Sequence, residues 1–170
     1  QMPSPDALID AALTYTRYGQ RLLAAEPALR DALCAGLDRP YQRAEMQALL
    51  AAQSINDEAD LKRALRTLKK HVALRLMLRD LSGLGDLTEV MSSISQLAEL
   101  AVQEALRHLS QWQQAAYGIP IGAESGEPQE LIVVAMGKLG GNELNVSSDI
   151  DLIYVYPEDG QAGKLSNHEY

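Results

Sequence analysis

Asp149 and Asp151 are separated by one residue, with Ile150 and Leu152 interleaved, so an extended chain sends both carboxylates to one side and both aliphatic groups to the other. Their Cα atoms would then lie about 7 Å apart. Carboxylates held that close repel each other and favour a cation between them, and hard oxygen donors suit Mg²⁺ or Mn²⁺. Upstream, Gly140-Gly141 can bring backbone N–H groups to phosphate oxygens, Ser148 can donate a hydroxyl, and Lys138 adds positive charge at the loop mouth. Together these groups outline a site for a metal-bound phosphate of a nucleotide. An isolated Asp-x-Asp is common by chance and also serves metal-dependent glycosyltransferases. The glycine pair, the preceding serine and apolar runs on both sides make this one far more specific.

Those apolar runs are the elements that must position the site. Leu131–Met136 is β-branched at its centre and closed by Gly137, which predicts a strand buried on both faces. A second strand is predicted over Ile150–Tyr156, stopped by Pro157. Between them the glycines and Ser147-Ser148-Asp149 predict a tightly turning loop rather than a packed element.

Gly-Gly followed by Asp-x-Asp between two strands resembles the signature of the DNA polymerase β-like nucleotidyltransferase superfamily. The longer run GKLGGNELNVSSDIDLIYVYPE closely resembles that of the glutamine synthetase adenylyltransferase/adenylyl-removing enzyme family, whose members carry two such domains in tandem. Within it, ELN-x-SSDIDL is more similar to the first, adenylyl-removing copy. The resemblance is strong over residues 131–157, and LKRALRTLKKHVALRLMLRD is similar in character to the corresponding helix. It implies Mg²⁺-dependent phosphorolysis that removes AMP from an adenylylated tyrosine of glutamine synthetase and releases ADP, while the sister domain adds AMP from ATP. It also implies control by a PII signalling protein and by glutamine. Asp149 and Asp151 would be the catalytic metal ligands, with Gly140, Gly141, Ser148 and Lys138 on the phosphates. Superfamily members use a third acidic residue on a later strand, and no candidate with strand-like flanks precedes Tyr170. Two other readings stay open: a nucleotidyltransferase acting on RNA or a small molecule, and a non-catalytic helical adaptor with a degenerate nucleotide-binding segment. Intact Asp149 and Asp151 argue against the adaptor.

The 170 residues carry a net charge of −8, which argues against general nucleic-acid binding, a property that usually shows a basic surface. No apolar run approaches the roughly 20 residues of a membrane span, and no secretion signal opens the sequence. The 1 cysteine, Cys34, excludes an internal disulfide and fits a reducing cytoplasm. It reads as core filler rather than nucleophile. Beginning at Gln1 and stopping soon after the second strand, the chain reads as a piece of something longer.

Ahead of the strands the pattern is helical. Ser4-Pro5-Asp6 predicts a helix start, Thr16 a second, and Pro27 a third that Gly36 ends. Met46, Leu49 and Leu50 mark a fourth. From Asn56-Asp57 a stripe through Leu61, Leu65, Leu68, Val72, Leu76 and Leu81 predicts a helix of about seven turns. It gathers Lys62, Arg63, Arg66, Lys69, Lys70, Arg75 and Arg79, nearly half of the chain's 15 basic residues. They read either as a solvated flank or as a basic wall facing phosphates or an acidic partner. His71, in the same run, has no carboxylate at helical spacing and reads as a satisfied surface or interface histidine; His168 reads as solvated. Ser82–Gly85 breaks the helix, Asp86 caps a second long one that Gly118 closes, and Ile119–Glu130 reads as an exposed linker. The predicted fold class is α+β: a helical region over 1–120, then over 121–170 the beginning of a polymerase-β-like nucleotidyltransferase domain with an incomplete mixed sheet.

Overall fold

The computed structural model describes residues 3–163 and 165–166; His168 lies outside them. The chain divides at Leu97/Ala98 into two compact units, with the segment Leu144–Ser147 belonging to the first and the chain from Ser148 onward to the second. The architecture is α+β. No described helix is long and apolar enough to cross a membrane.

The first unit holds α1 (Pro5–Leu13), α2 (Arg17–Ala25), α3 (Leu29–Gly36), α4 (Arg43–Ala51), α5 (Glu58–Leu81) and the start of α6 (Leu87–Tyr117). Side-chain oxygens satisfy the orphan amides at the expected starts. Ser4 Oγ accepts from the Ala7 N–H at 3.3 Å, Thr16 Oγ1 from Gly19 at 3.1 Å, Asp57 Oδ1 from Asp60 at 2.8 Å and Asp86 Oδ1 from Glu89 at 2.8 Å. Pro27 falls short of its helix: it sits in the turn before α3, where its carbonyl accepts from the Arg30 N–H at 3.1 Å. Ile9, Ala12, Leu22, Leu29, Leu33, Leu37, Leu74 and Leu78 form one buried cluster, with Cys34 packed against it as filler. The Cys34 thiol donates to Asp6 Oδ1 at 3.3 Å, and burial together with that carboxylate raises its pKa.

The basic run of α5 resolves into different jobs. Arg75 and Arg79 are buried, so they are neither solvated flank nor phosphate wall. Arg75 Nε donates to the Gly36 carbonyl at 2.8 Å and its Nη1 to both Glu45 oxygens at 3.2 Å, while its guanidinium lies 4.6 Å from the Tyr41 ring centroid. One helical turn later, Arg79 reaches the Leu37 carbonyl at 2.5 Å, the Leu84 carbonyl at 2.8 Å and Glu89 at 2.6 Å. Two guanidinium forks thus close the C-terminal end of α3, where orphan carbonyls need donors. A Cβ on Gly36 would come within 1.4 Å of Arg75 Nη2, so this glycine serves the arginine rather than a left-handed turn. Lys62 pairs with Glu58 at 2.5 Å and Lys70 with Glu26 at 3.3 Å, whereas Arg66 and Lys69 are exposed. His71 Nε2 lies 3.8 Å from Glu26 Oε2, and burial lowers its pKa against the pull of that carboxylate. Glu26 comes from the α2–α3 turn, which spacing along α5 cannot reveal.

The second unit contains α6 from Ala98 onward, β1 (Ile121–Gly122), β2 (Ile132–Met136), a single turn α7 (Gly137–Gly140), β3 (Asp151–Val155), β4 (Gly160–Ala162) and β5 (Leu165–Ser166). β2 and β3 pair antiparallel, from Ile132 opposite Val155 to Met136 opposite Asp151. β1, β4 and β5 form a second antiparallel sheet with β4 central. The expectation of a strand buried on both faces fails for β2: Ile132, Val134 and Met136 are exposed and Val133 and Ala135 half-buried. Its one described strand partner is β3, and no described layer covers the Ile132 face. The 119–130 stretch is more than linker, since β1 lies in it and Glu158 ties down its turn. Glu158 accepts from the Ser125 hydroxyl, from the Glu124 N–H at 2.7 Å and from the Ser125 N–H at 3.1 Å, bonds that hold its carboxyl below the usual range, and Gln129 Nε2 also donates to it at 3.3 Å.

Candidate functional site

Lys138, Gly140, Gly141, Ser148, Asp149 and Asp151 all lie in the second unit. The β2–β3 register sets the site. Met136 ends β2 and its partner Asp151 begins β3, so the aspartate stands at the open end of the ladder where the first strand hands over to α7. Beyond that pair β2 offers no partner to Ile150 or Asp149. Asp149 therefore sits in the loop two residues ahead of β3, and the shared strand face expected for both carboxylates is realised at Asp151 alone. Both side chains are exposed, and Ser148 is half-buried.

Gly137 is the residue that sequence reasoning missed. It has φ +54°, the left-handed region that glycine enters without a steric penalty, and a Cβ there would meet Asp151 Oδ2 at 2.9 Å. The carboxylate thus occupies the space a side chain would take. Read from the sequence, Gly137 merely closed an apolar run; pairing the two runs end to end as a hairpin would have placed it beside Asp151.

The glycine pair contributes differently from expectation. A Cβ on Gly140 would fall 2.7 Å from the Ala135 carbonyl oxygen, so Gly140 lets α7 fold back on β2. The Gly141 N–H is already spent on the Gly137 carbonyl at 3.1 Å, and the space around its Cα is open, since a Cβ there would meet nothing closer than 3.6 Å. Leu139, buried, anchors the turn while Lys138 is exposed beside it. Glu143 and Asn142 then donate to the Lys138 and Leu139 carbonyls at 2.7 and 3.1 Å, with Asn142 at φ +57°.

Two exposed carboxylates with oxygen donors only are a fit for Mg²⁺, which keeps several waters and takes further oxygens from phosphate. Among the described residues no group of three or more His, Cys, Asp or Glu side chains could hold a metal, so an ion at Asp149 and Asp151 would take its remaining oxygens from water and phosphate. Chemically the arrangement suits a metal-bridged phosphate in front of α7, with space opened by missing side chains and Lys138 and Ser148 close in sequence.

The family model of glutamate-ammonia ligase adenylyltransferase matches residues 7–169. Among curated proteins, the chain is 46% identical over 171 residues to the bifunctional glutamine synthetase adenylyltransferase/adenylyl-removing enzyme of Nitrosomonas europaea, covering 96% of this chain and 18% of that protein. It is 49% identical over 167 residues to the protein of the same description from Chromobacterium violaceum, covering 96% and 19% respectively. With that from Ralstonia nicotianae it shares 46% identity over 175 residues, 98% of this chain and 18% of the relative. The chain spans 18% to 19% of the length of these relatives.

Proposed function

The chain belongs to the glutamate-ammonia ligase adenylyltransferase family, and from that premise we propose that the protein containing it controls glutamine synthetase by reversible adenylylation, this part serving the removal of AMP. The observation that carries the reading is the placement of Asp151 against Gly137 at the head of β3, two residues after Asp149. In this reading adenylyl-tyrosine of glutamine synthetase is the substrate and inorganic phosphate the attacking group. A phosphate oxygen bonds to the AMP phosphorus, the bond to the tyrosyl oxygen breaks, ADP leaves and the tyrosine regains a proton.

Asp149 and Asp151 would hold the divalent ion, Mg²⁺ or Mn²⁺, which would supply positive charge against the charge that develops on the phosphate. Gly137 keeps the Asp151 carboxylate in place by leaving it room. Gly140 holds α7 against β2, so that Lys138 and Ser148 can meet the phosphates. ATP use by a sister domain, control by a PII protein and glutamine, and a cytoplasmic setting belong to the same proposal and rest on the family.

Asp149→Asn and Asp151→Asn tested in the full-length protein should each cut AMP removal by at least ~10³-fold, the scale of a lost electrostatic stabiliser in a transition state. AMP addition to unmodified glutamine synthetase should persist. Loss of addition with removal intact would reverse the assignment of this half, and loss of neither would dismiss the site.

A further inference from the structure

Asp151 is placed by the β2–β3 register and by Gly137, but Asp149 lies ahead of the ladder, so its position is left to the loop. That loop is held at a distance from the site. The segment Leu144–Ser147, which ends two residues before Asp149, belongs to the first unit.

Leu144 is buried, and its backbone N–H donates to Ser95 Oγ of α6 at 3.2 Å, across a sequence separation of 49 residues. Ser95 is itself 0% exposed. An amide and a hydroxyl that meet out of reach of water have no solvent to replace either partner, so removing the hydroxyl leaves the amide unsatisfied. The chain is fixed again on both sides of this bond. The Glu143 N–H donates to the Lys138 carbonyl at 2.7 Å, and Asn145 Oδ1 accepts from the Ser147 N–H and from its hydroxyl, each at 3.1 Å. Of these bonds, the one to Ser95 is the only one that reaches beyond the loop and α7. It ties the approach to Asp149 to a rigid helix.

We propose that Ser95 is a positioning residue for Asp149. The inference rests on the reading of Asp149 as a ligand of the divalent ion. Ser95 acts through the chain: it fixes Leu144, the turn at Asn145 carries that anchor to Ser147, and Asp149 follows two residues on. Without the hydroxyl the carboxylate is still present but loses its fixed place, and a misplacement of about 1 Å is enough to cost a reaction about 10²-fold.

Ser95→Ala is compared with Asp149→Asn in the full-length protein. With divalent ions removed by EDTA, amide exchange read by mass spectrometry should run about tenfold faster in Ser95→Ala over residues 143–149, the worth of one hydrogen bond, and at the wild-type rate over α1 to α3. With Mg²⁺ present, removal of AMP from glutamine synthetase should fall about 10- to 100-fold in kcat, with KM for the adenylylated protein and the rate of AMP addition unchanged. Ser95→Thr keeps the hydroxyl and should restore both exchange and kcat. Should its extra methyl prevent folding, Leu144→Ala, which loosens the same anchor from the loop side, should repeat the Ser95→Ala pattern. Wild-type exchange in Ser95→Ala, or an unchanged kcat where Asp149→Asn is inactive, overturns the positioning role. So does a loss shared equally by removal and addition, which marks general destabilisation, or a folded Ser95→Thr that restores neither readout. An active Asp149→Asn enzyme overturns the reading of the site itself, and the role of Ser95 with it.

Discussion

At the scale of single residues, the three glycines around α7 are not equivalent, and their differences are measurable. Gly137→Ala forces a side chain into φ +54° and against Asp151 Oδ2 at 2.9 Å, at a backbone cost of about 1–2 kcal/mol before the carboxylate is displaced. In the full-length enzyme it should lower kcat by about 10- to 100-fold with a small change in melting temperature, as expected when a reacting group is misplaced. Gly141→Ala meets nothing closer than 3.6 Å and should keep nearly full activity. A dead Gly141→Ala enzyme would mean that Gly141 approaches the phosphate directly, as the motif alone suggests. That the carboxylates, Lys138 and the glycine pair fall in one unit around α7 and β3 was legible in sequence, because spacing is a property of the letters. Gly137 was not, because its role depends on which residue of β3 stands opposite Met136, a fact of register.

At the scale of elements, helix starts were legible at Ser4, Thr16, Asp57 and Asp86, because a cap is a local bond between a side chain and an amide two or three residues on. What α5 does with its arginines was not. Arg75 and Arg79 act across a sequence separation of 39 and 42 residues on the carbonyls of Gly36 and Leu37, and no periodicity encodes a partner that distant. Replacing either by Met strands a carboxylate, Glu45 or Glu89, with part of its pairing gone. The Arg79 change should therefore cost about 3–5 kcal/mol, the penalty for breaking a buried pair on one side, and the Arg75 change less, since Glu45 is partly exposed and keeps Arg39. Urea midpoints of the two single variants and the double would check this, and the double should cost less than the sum, since both forks close the same end of α3. Glu45 also sets a pH dependence. Burial pushes its carboxyl up, but the Gln42 N–H together with Arg75 and Arg39 outweighs burial and holds the pKa below its ordinary 4.5. A carboxyl depressed in the folded state binds fewer protons there than in the unfolded chain. Its contribution is thus complete above pH 4.5 and is lost as the pH falls through the lower folded value. Urea midpoints should drop between pH 6 and pH 3.5 by more in the wild type than in Glu45→Gln, and parallel declines would refute the assignment.

At the scale of the whole molecule, the α+β class was legible from one contrast: long stripes of helical period up to Tyr117, then two short β-branched runs. The depth of burial of those runs was not, because a continuous apolar run looks the same whether or not a layer of structure covers it. The hairpin consequently shows Ile132, Val134, Met136, Ile153 and Val155 to solvent on one face, and both its edges carry unpaired backbone groups among the described residues. Handled as a purified 170-residue chain, the protein should behave as a colloid whose stickiness resides in that face and whose repulsion resides in its charge of −8. Sedimentation velocity should find growing aggregates as the pH approaches the isoelectric point near 4.8, where the repulsion vanishes. Added salt near neutral pH should act in the same direction by screening it. Ile153→Lys, a cation planted in the middle of the sticky face, should restore a single sedimenting species although it lowers the net negative charge. Aggregation that instead tracked net charge alone, worsening in Ile153→Lys, would locate the adhesive surface elsewhere.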